Sequence, residues 1–437
     1  MQFEGEAVAG GTAPARADAE RRQTVVGEAG VGEARVEEAR AVPLSRGTAL
    51  LFAVACGLAV ANVYYAQPLL DTIAVEFGIS RATVGLVITV TQVGYGLGLL
   101  LLVPLGDLLN RRRLIVGLSL FSVLALLTVA LAPTGTVLLA GMGAVGLLAV
   151  VTQILVAYAA ALAHPCERGS VVGTVTSGII IGILLARTIS GTLSDLFGWR
   201  SVYLASAGAT LVVAVVLTKV LPRREARRPS MPYARLIGSV FTLLVEEPVL
   251  RTRAILALLI FSAITVLWTP MVLPLSAPPF SLSHTEVGLF GLAGAMGAAG
   301  AASAGRLADR GQAQRATGVA LAIMLASWLP IALLGRSLWG HSLWGLIIGV
   351  VTIDFGLQST HVANQSLIYR VRPEARSRLT AGYMIFYSIG CATGSIGSTL
   401  VYAHGGWTGV CALGAAISAV AVVFWALTRR PTPSPAA

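Results

Sequence analysis

Charge is what this 437-residue chain has least of. Asp, Glu, Lys and Arg together make up 12% of it, where a soluble domain carries about a quarter. Lysine is almost missing: of 31 basic residues, only Lys219 is not an arginine. A Walker A loop needs Gly-Lys followed by Ser or Thr to hold phosphates. Lys219 instead follows Thr218, so no ATP-binding P-loop is expected. Cysteine is scarce as well. Cys56, Cys166, Cys391 and Cys411 form no CxxC pair, which leaves them as small apolar fillers rather than a disulfide or zinc framework. Asp-Asp and DxxD motifs are missing, which removes the paired acids of a Mg²⁺-dependent membrane transferase. No cofactor and no bound metal are expected. The N-terminus is polar for more than 40 residues before the first apolar run, so no cleavable signal peptide is expected.

What is present is apolar: 56% hydrophobic residues and a mean hydropathy of +0.80. That composition excludes a soluble enzyme, a DNA-binding protein and a disordered scaffold as the main reading, and makes the lipid bilayer the partner. The net charge of +11 does not point to nucleic acid, because the arginines sit at the ends of apolar runs. Uncharged stretches at 47–70, 82–106 and 114–166 open a series that ends at 379–428. The breaks at 132–136 and 404–407 each divide a long run in two. A span needs roughly 20 apolar residues, and the count is twelve helices. The expected fold is therefore an all-helical membrane protein with two pseudo-symmetric six-helix bundles. Residues 1–46 form a disordered tail, 47–220 and 254–428 the bundles, 221–253 the linker and 429–437 a second tail. Within the linker, 232–245 reads either as an interfacial helix or as an ordinary connection. With the N-terminus inside, 22 basic residues fall on the inner side and only Arg81, Arg200 and Arg336 on the outer. The positive-inside rule then puts both termini in the cytoplasm.

The halves repeat each other. Gly198-Trp199 and Gly406-Trp407 each precede the last span of a half, with the tryptophans 208 residues apart. Asp107 and Asp309 each follow the second span of a half, 202 residues apart. Parallel six-span repeats with a site at their interface are a transporter architecture.

The inner loop Val103-Pro104-Leu105-Gly106-Asp107-Leu108-Leu109-Asn110-Arg111-Arg112-Arg113 resembles the G-x-L-x-D-R-x-G-R-R loop of the major facilitator superfamily through Leu105, Asp107, Arg111 and Arg112. A second, shorter copy runs through Gly305-Arg306-Leu307-Ala308-Asp309-Arg310. More narrowly, 62–68, Gln92-Val93-Gly94-Tyr95 and Asn364-Gln365 resemble the sugar-efflux/drug:proton antiporter branch, although span five lacks the Gly-Pro pair of the usual antiporter motif. The resemblance implies alternating access with a conformational latch at Asp107, Arg111, Arg112, Asp309 and Arg310. It also implies a cavity lined by spans one, four, seven and ten, which favours Tyr65, Gln153, Trp268 and Asp354.

The residues supply candidates of their own. Arg187 and Asp354 are the two charges inside spans, where an uncompensated charge costs roughly 2.5–3.5 kcal/mol. Arg187 lies roughly 24 Å up the fifth span and Asp354 roughly 16 Å into the tenth, at 1.5 Å per residue. Arginine at that height either snorkels or serves as a gate or substrate contact. Aspartate is too short to snorkel. Asp354, Gln358, His361 and Gln365 follow at offsets of about 0, 4, 7 and 11, one stripe of a helix, flanked by Asn364. Such a stripe needs either water in a cavity or polar partners on other helices. Asp354, His361 and Arg187 are thus proton-coupling candidates. Tyr65, Gln67, Gln92, Tyr95, Gln153, Trp268, Gln358, Asn364 and Gln365 are cavity candidates. Together these readings predict a monomeric secondary transporter in the inner cell membrane that exports a small organic molecule against protons. A uniporter or importer of the same fold is the alternative, and a membrane enzyme or a non-transporting receptor lies further off.

Overall fold

The computed structural model describes residues 45–164, 167–221, 232–333, 343–372 and 375–428. Residues 1–44 of the expected tail over 1–46, the second expected tail over 429–437, Cys166 and the loop arginines Arg223 and Arg336 lie outside them, and Arg46 already belongs to the first helix. The described residues are almost wholly helical. Ten helices are long and apolar enough to cross a membrane, and Leu86–Leu101 is a shorter apolar one. The last of the ten, Arg376–Thr428, contains Gly406 at φ 56° and ψ −155°. Only a residue without Cβ adopts that geometry freely, and it turns the chain back on itself. Two spans therefore meet there, and the passes number twelve.

Span starts carry the expected caps. Asn110 accepts from the Arg113 N–H at 3.1 Å, which starts Arg111–Ala130. Ser283 and Glu286 form a capping box at His284–Leu289, satisfying two N–H groups that the helix itself cannot. The linker contains a helix, Tyr233–Glu246. It buries Val240 and Leu243 and donates from the Tyr233 hydroxyl to the Leu101 carbonyl at 2.8 Å. Arg372 pairs with Glu246 at 3.2 Å and with Glu247 at 2.6 Å, tying this helix to the second half.

Three spans are interrupted along their length, which hydropathy alone did not reveal. In span one the helix Arg46–Tyr64 gives way to a 3₁₀ turn over Gln67–Leu69, with Pro68 inside it. Span seven breaks between Pro248–Trp268 and Val272–Ser276, at Pro270. Proline has no N–H to continue the ladder. Pro68 and Pro270 stand 202 residues apart, the same spacing as Asp107 and Asp309. Span eight changes to a 3₁₀ segment over Phe290–Gly294. Interrupted helices in corresponding positions of two repeats mark a binding site in transporters.

We call the end carrying Ser45 and Thr428 the near end and the opposite one the far end. The halves meet closely at the far end. A Cβ on Gly288 would collide with the Arg187 carbonyl, and one on Gly191 with the carbonyl of His284. Span five leaves span eight beyond Gly294. Gly297 and Gly300 face Gln358 and Phe355 of span ten instead, and near-end Gly173 and Gly305 have nothing within 4 Å. The glycines at every third position of span eight thus pack on span five at one end and on span ten at the other.

Candidate functional site

A central cavity of about 100 Å³ lies between the halves at the height of the helix breaks. From the first half it is lined by Tyr64, Gln67, Gln92, Leu184 and Arg187. From the second it is lined by Phe261, Trp268, Asp354, Gln358 and Tyr387. Each polar wall group has a local reason for being there. Gln67 sits in the 3₁₀ turn that Pro68 forces. Trp268 ends its helix just before Pro270. Gly294, whose Cβ would stand 3.4 Å from Asp354 Oδ2 and 3.0 Å from Leu184, leaves room beside the carboxylate.

Arg187 does not snorkel. It is 7% exposed and turned inward. Its Nε donates to Gln67 Oε1 at 2.7 Å, and its guanidinium lies 3.9 Å from the Trp268 ring centre and 5.2 Å from that of Tyr64. Cation–π contacts of a desolvated arginine contribute on the order of 2 kcal/mol, and here they fix the plane of the fork. Asp354 is 8% exposed and shares the cavity wall with Trp268, and its charge attracts Arg187.

Six of the candidates therefore share the cavity: Gln67, Gln92, Arg187, Trp268, Asp354 and Gln358. The others lie beside or beyond it. Tyr65 is buried edge-on against Tyr203, 6.4 Å between centres, and the neighbouring Tyr64 takes the lining position instead. Tyr64 meets Tyr387 hydroxyl to hydroxyl at 2.9 Å, a bridge between the halves. Tyr95 packs on Tyr387 and accepts from Gln153 at 3.3 Å. His361 is engaged by the Tyr383 hydroxyl at 3.0 Å and stands edge-on to Phe261. Asn364 reaches Tyr383 at 3.5 Å and accepts from Arg253 at 3.3 Å. His361 and Asn364 thus form a polar string leading from the cavity wall towards the near end, with Gln365 half-buried alongside.

The expected latch sits at the near end. The side chains of Asp107 and Asp309 lie outside the described residues. Arg111 donates to the Gly106 carbonyl at 3.0 Å and Arg112 to the Thr218 carbonyl, both within the first half. Arg310 is exposed.

A second cluster, at the far end, escaped the sequence reading. His284, at the start of span eight, faces Asp71 at 3.1 Å, Asp195 at 2.9 Å and the Thr72 hydroxyl at 3.0 Å. Thr285 donates to Asp195 from its N–H at 2.7 Å and from its hydroxyl at 2.6 Å. Asp195, from the first half, therefore caps a helix N-terminus of the second, where an anion is favoured by both the free N–H groups and the dipole.

Twelve apolar passes in two repeats, interrupted around a central cavity with charged and polar groups in its wall, define a multi-pass membrane transporter rather than an enzyme. The sequence profile described as Major Facilitator Superfamily matches residues 51–368, and the chain belongs to that family. It is 46% identical to the "Uncharacterized transporter YgaY" of Escherichia coli O157:H7, over 87% of this chain and 95% of that one. It is 24% identical to a "Probable sugar efflux transporter" of Helicobacter pylori (strain ATCC 700392 / 26695), over 82% and 88%. The fold matches that of a solved bacterial homologue of the human lysosomal transporter Spinster, described as inward-facing and unoccupied, with a TM-score of 0.71 at 17% identity, over 87% and 96% of the two chains.

Proposed function

We propose that this protein is a proton-coupled exporter of a small organic molecule in the inner cell membrane, with both termini in the cytoplasm. The orientation rests on the arginine bias. Under it the near end is cytoplasmic, and the structure described above is the inward-facing state. The export direction draws on the sugar-efflux relative.

One observation carries the coupling. Among the described lining residues Asp354 is the one carboxylate, and it is enclosed at mid-depth opposite an arginine. A carboxyl there can be reached from either side as the halves rock. Substrate and proton compete for it, so one site couples two fluxes. His361 and the Tyr383–Asn364 string continue the polar path towards the near end.

The test is transport in proteoliposomes with an imposed pH gradient. Asn at 354 imitates the permanently protonated form. Asp354→Asn is expected to cut gradient-driven flux by at least roughly tenfold, about 1.4 kcal/mol in the coupling step, while retaining substrate counterflow. Undiminished gradient-driven flux in the variant ends the proton-carrier reading. A fall in folded protein with unchanged flux per molecule would make Asp354 a structural partner of Arg187 only.

A further inference from the structure

The two buried charges of the cavity face each other without pairing. Nε of Arg187 is held by Gln67, and Trp268 and Tyr64 flank its guanidinium. Its four terminal N–H groups meet no acceptor among the described residues, although the residue is 7% exposed and lines the cavity. Asp354 lines the cavity beside Trp268 and feels the charge of Arg187, yet the two make no salt bridge among the described residues. The other titratable groups of the wall, Tyr64, Tyr387 and Cys391, are weak acids that bring no charge at neutral pH by their ordinary values. The cavity thus offers one positive and one negative pole with space between them.

We propose that the transported molecule is a small zwitterion of the amino-acid kind, its carboxylate on the Arg187 fork and its ammonium group at Asp354. This rests on the reading of the cavity as the transport site, and it names what that site takes. The argument is charge balance in a poorly solvated space. A simple anion on Arg187 would leave Asp354 either charged and unpartnered or protonated, and in the second case substrate and proton no longer compete; a simple cation on Asp354 would leave the guanidinium unpartnered. Each orphan costs more than an unmade neutral hydrogen bond. A neutral sugar compensates neither charge. A zwitterion satisfies both poles and carries no net charge of its own. The planar fork suits a bidentate carboxylate, and the rings of Phe261, Trp268 and Tyr387 suit an ammonium face. The same arrangement accounts for competition. A proton on Asp354 removes the charge that the ammonium group needs, so the two cannot occupy the carboxylate together.

The test is thermal unfolding of the purified full chain in detergent, titrated with glycine, leucine and phenylalanine beside isopentylamine, 4-methylpentanoate and glucose. At least one amino acid is expected to raise the midpoint with a Kd roughly tenfold or more below those of the amine and the acid, one charge-assisted contact each. In Arg187→Gln the amino acid should lose its advantage over the amine. In Asp354→Asn it should lose its advantage over the acid. These ratios are taken within one variant and do not depend on how much of it folds. Tightest binding by glucose, the amine or the acid overturns the proposal. So does an amino-acid preference that survives both substitutions, or the lack of any shift with the three amino acids. No gradient is imposed here, so failure of this panel is separable from failure of the proton-carrier reading, which shows in gradient-driven flux.

Discussion

The two ends of the molecule hold their halves together by opposite means. At the far end, backbone meets backbone through glycine, and one aspartate of the first half caps a helix of the second. At the near end, Arg111, Arg112, Arg253 and Arg370 bond within their own half, and glycines in the corresponding stretches of spans five and eight have nothing within 4 Å. The two ends thus differ in what must be broken to open them. The closed end is held by contacts that are made or broken together, because an N–H cap and a glycine contact both require close approach. The open end is held by side chains long enough to bond wherever they find a carbonyl. Alternating access needs one end to be bistable in this way at a time.

Wedging the closed end should have the largest effect. Gly288→Val places a Cβ against the Arg187 carbonyl, closer than atoms tolerate, and overpacking of this kind costs about 1–3 kcal/mol or more. Because the collision is with backbone, the halves must part. Transport should fall more than roughly tenfold. Labelling of the cavity thiol Cys391 by an impermeant maleimide from the far side should rise, in a chain whose other cysteines are Ala. Gly305→Val, at the open end, meets nothing within 4 Å and should leave labelling as it was. Equal effects from the two would remove the distinction between the ends.

A milder cut tests the cap alone. Asp195→Asn keeps the shape and loses the charge that receives Thr285 and His284. Charge-assisted hydrogen bonds exceed neutral ones by roughly 1 kcal/mol. Far-side labelling of Cys391 should therefore rise about five- to tenfold, less than in Gly288→Val. Unchanged labelling would mean that the glycine contacts alone keep the end shut.

Much of this was legible in the sequence, and the rest was not for identifiable reasons. The spans and their number follow from uncharged runs and from Gly406. Arg187 and Asp354 stood out because charges inside spans are rare, and Gln358 followed from the period of span ten. Tyr65 was favoured through the family resemblance, which implies that span one lines the cavity but not which of two adjacent tyrosines of that span faces it. Asp71, Asp195 and His284 drew no attention in the sequence, since nothing local joins positions 89 and 213 residues apart. Pro68 and Pro270 did carry a signal, their 202-residue spacing, which the two loop aspartates share.

The smallest expected effect is also the one whose sign matters most. The family resemblance makes Asp107 part of a latch, yet its loop lies at the end that is open in this structure, with Arg111 and Arg112 bonded inside their own half. If that latch acts, it acts in the opposite state, when the near end closes. Asp107→Asn should then weaken the outward-facing state and leave the present one untouched, lowering far-side labelling of Cys391 by a few-fold, where Asp195→Asn raises it. The loss of one charge-assisted contact sets the scale at about 1 kcal/mol. Combining the two substitutions should bring labelling back towards the parent level, because sites this far apart add independently. A rise in labelling with Asp107→Asn, or a double variant indistinguishable from Asp195→Asn alone, would reduce Arg111–Arg113 to a topology signal and leave the far-end cap as the one latch of the cycle.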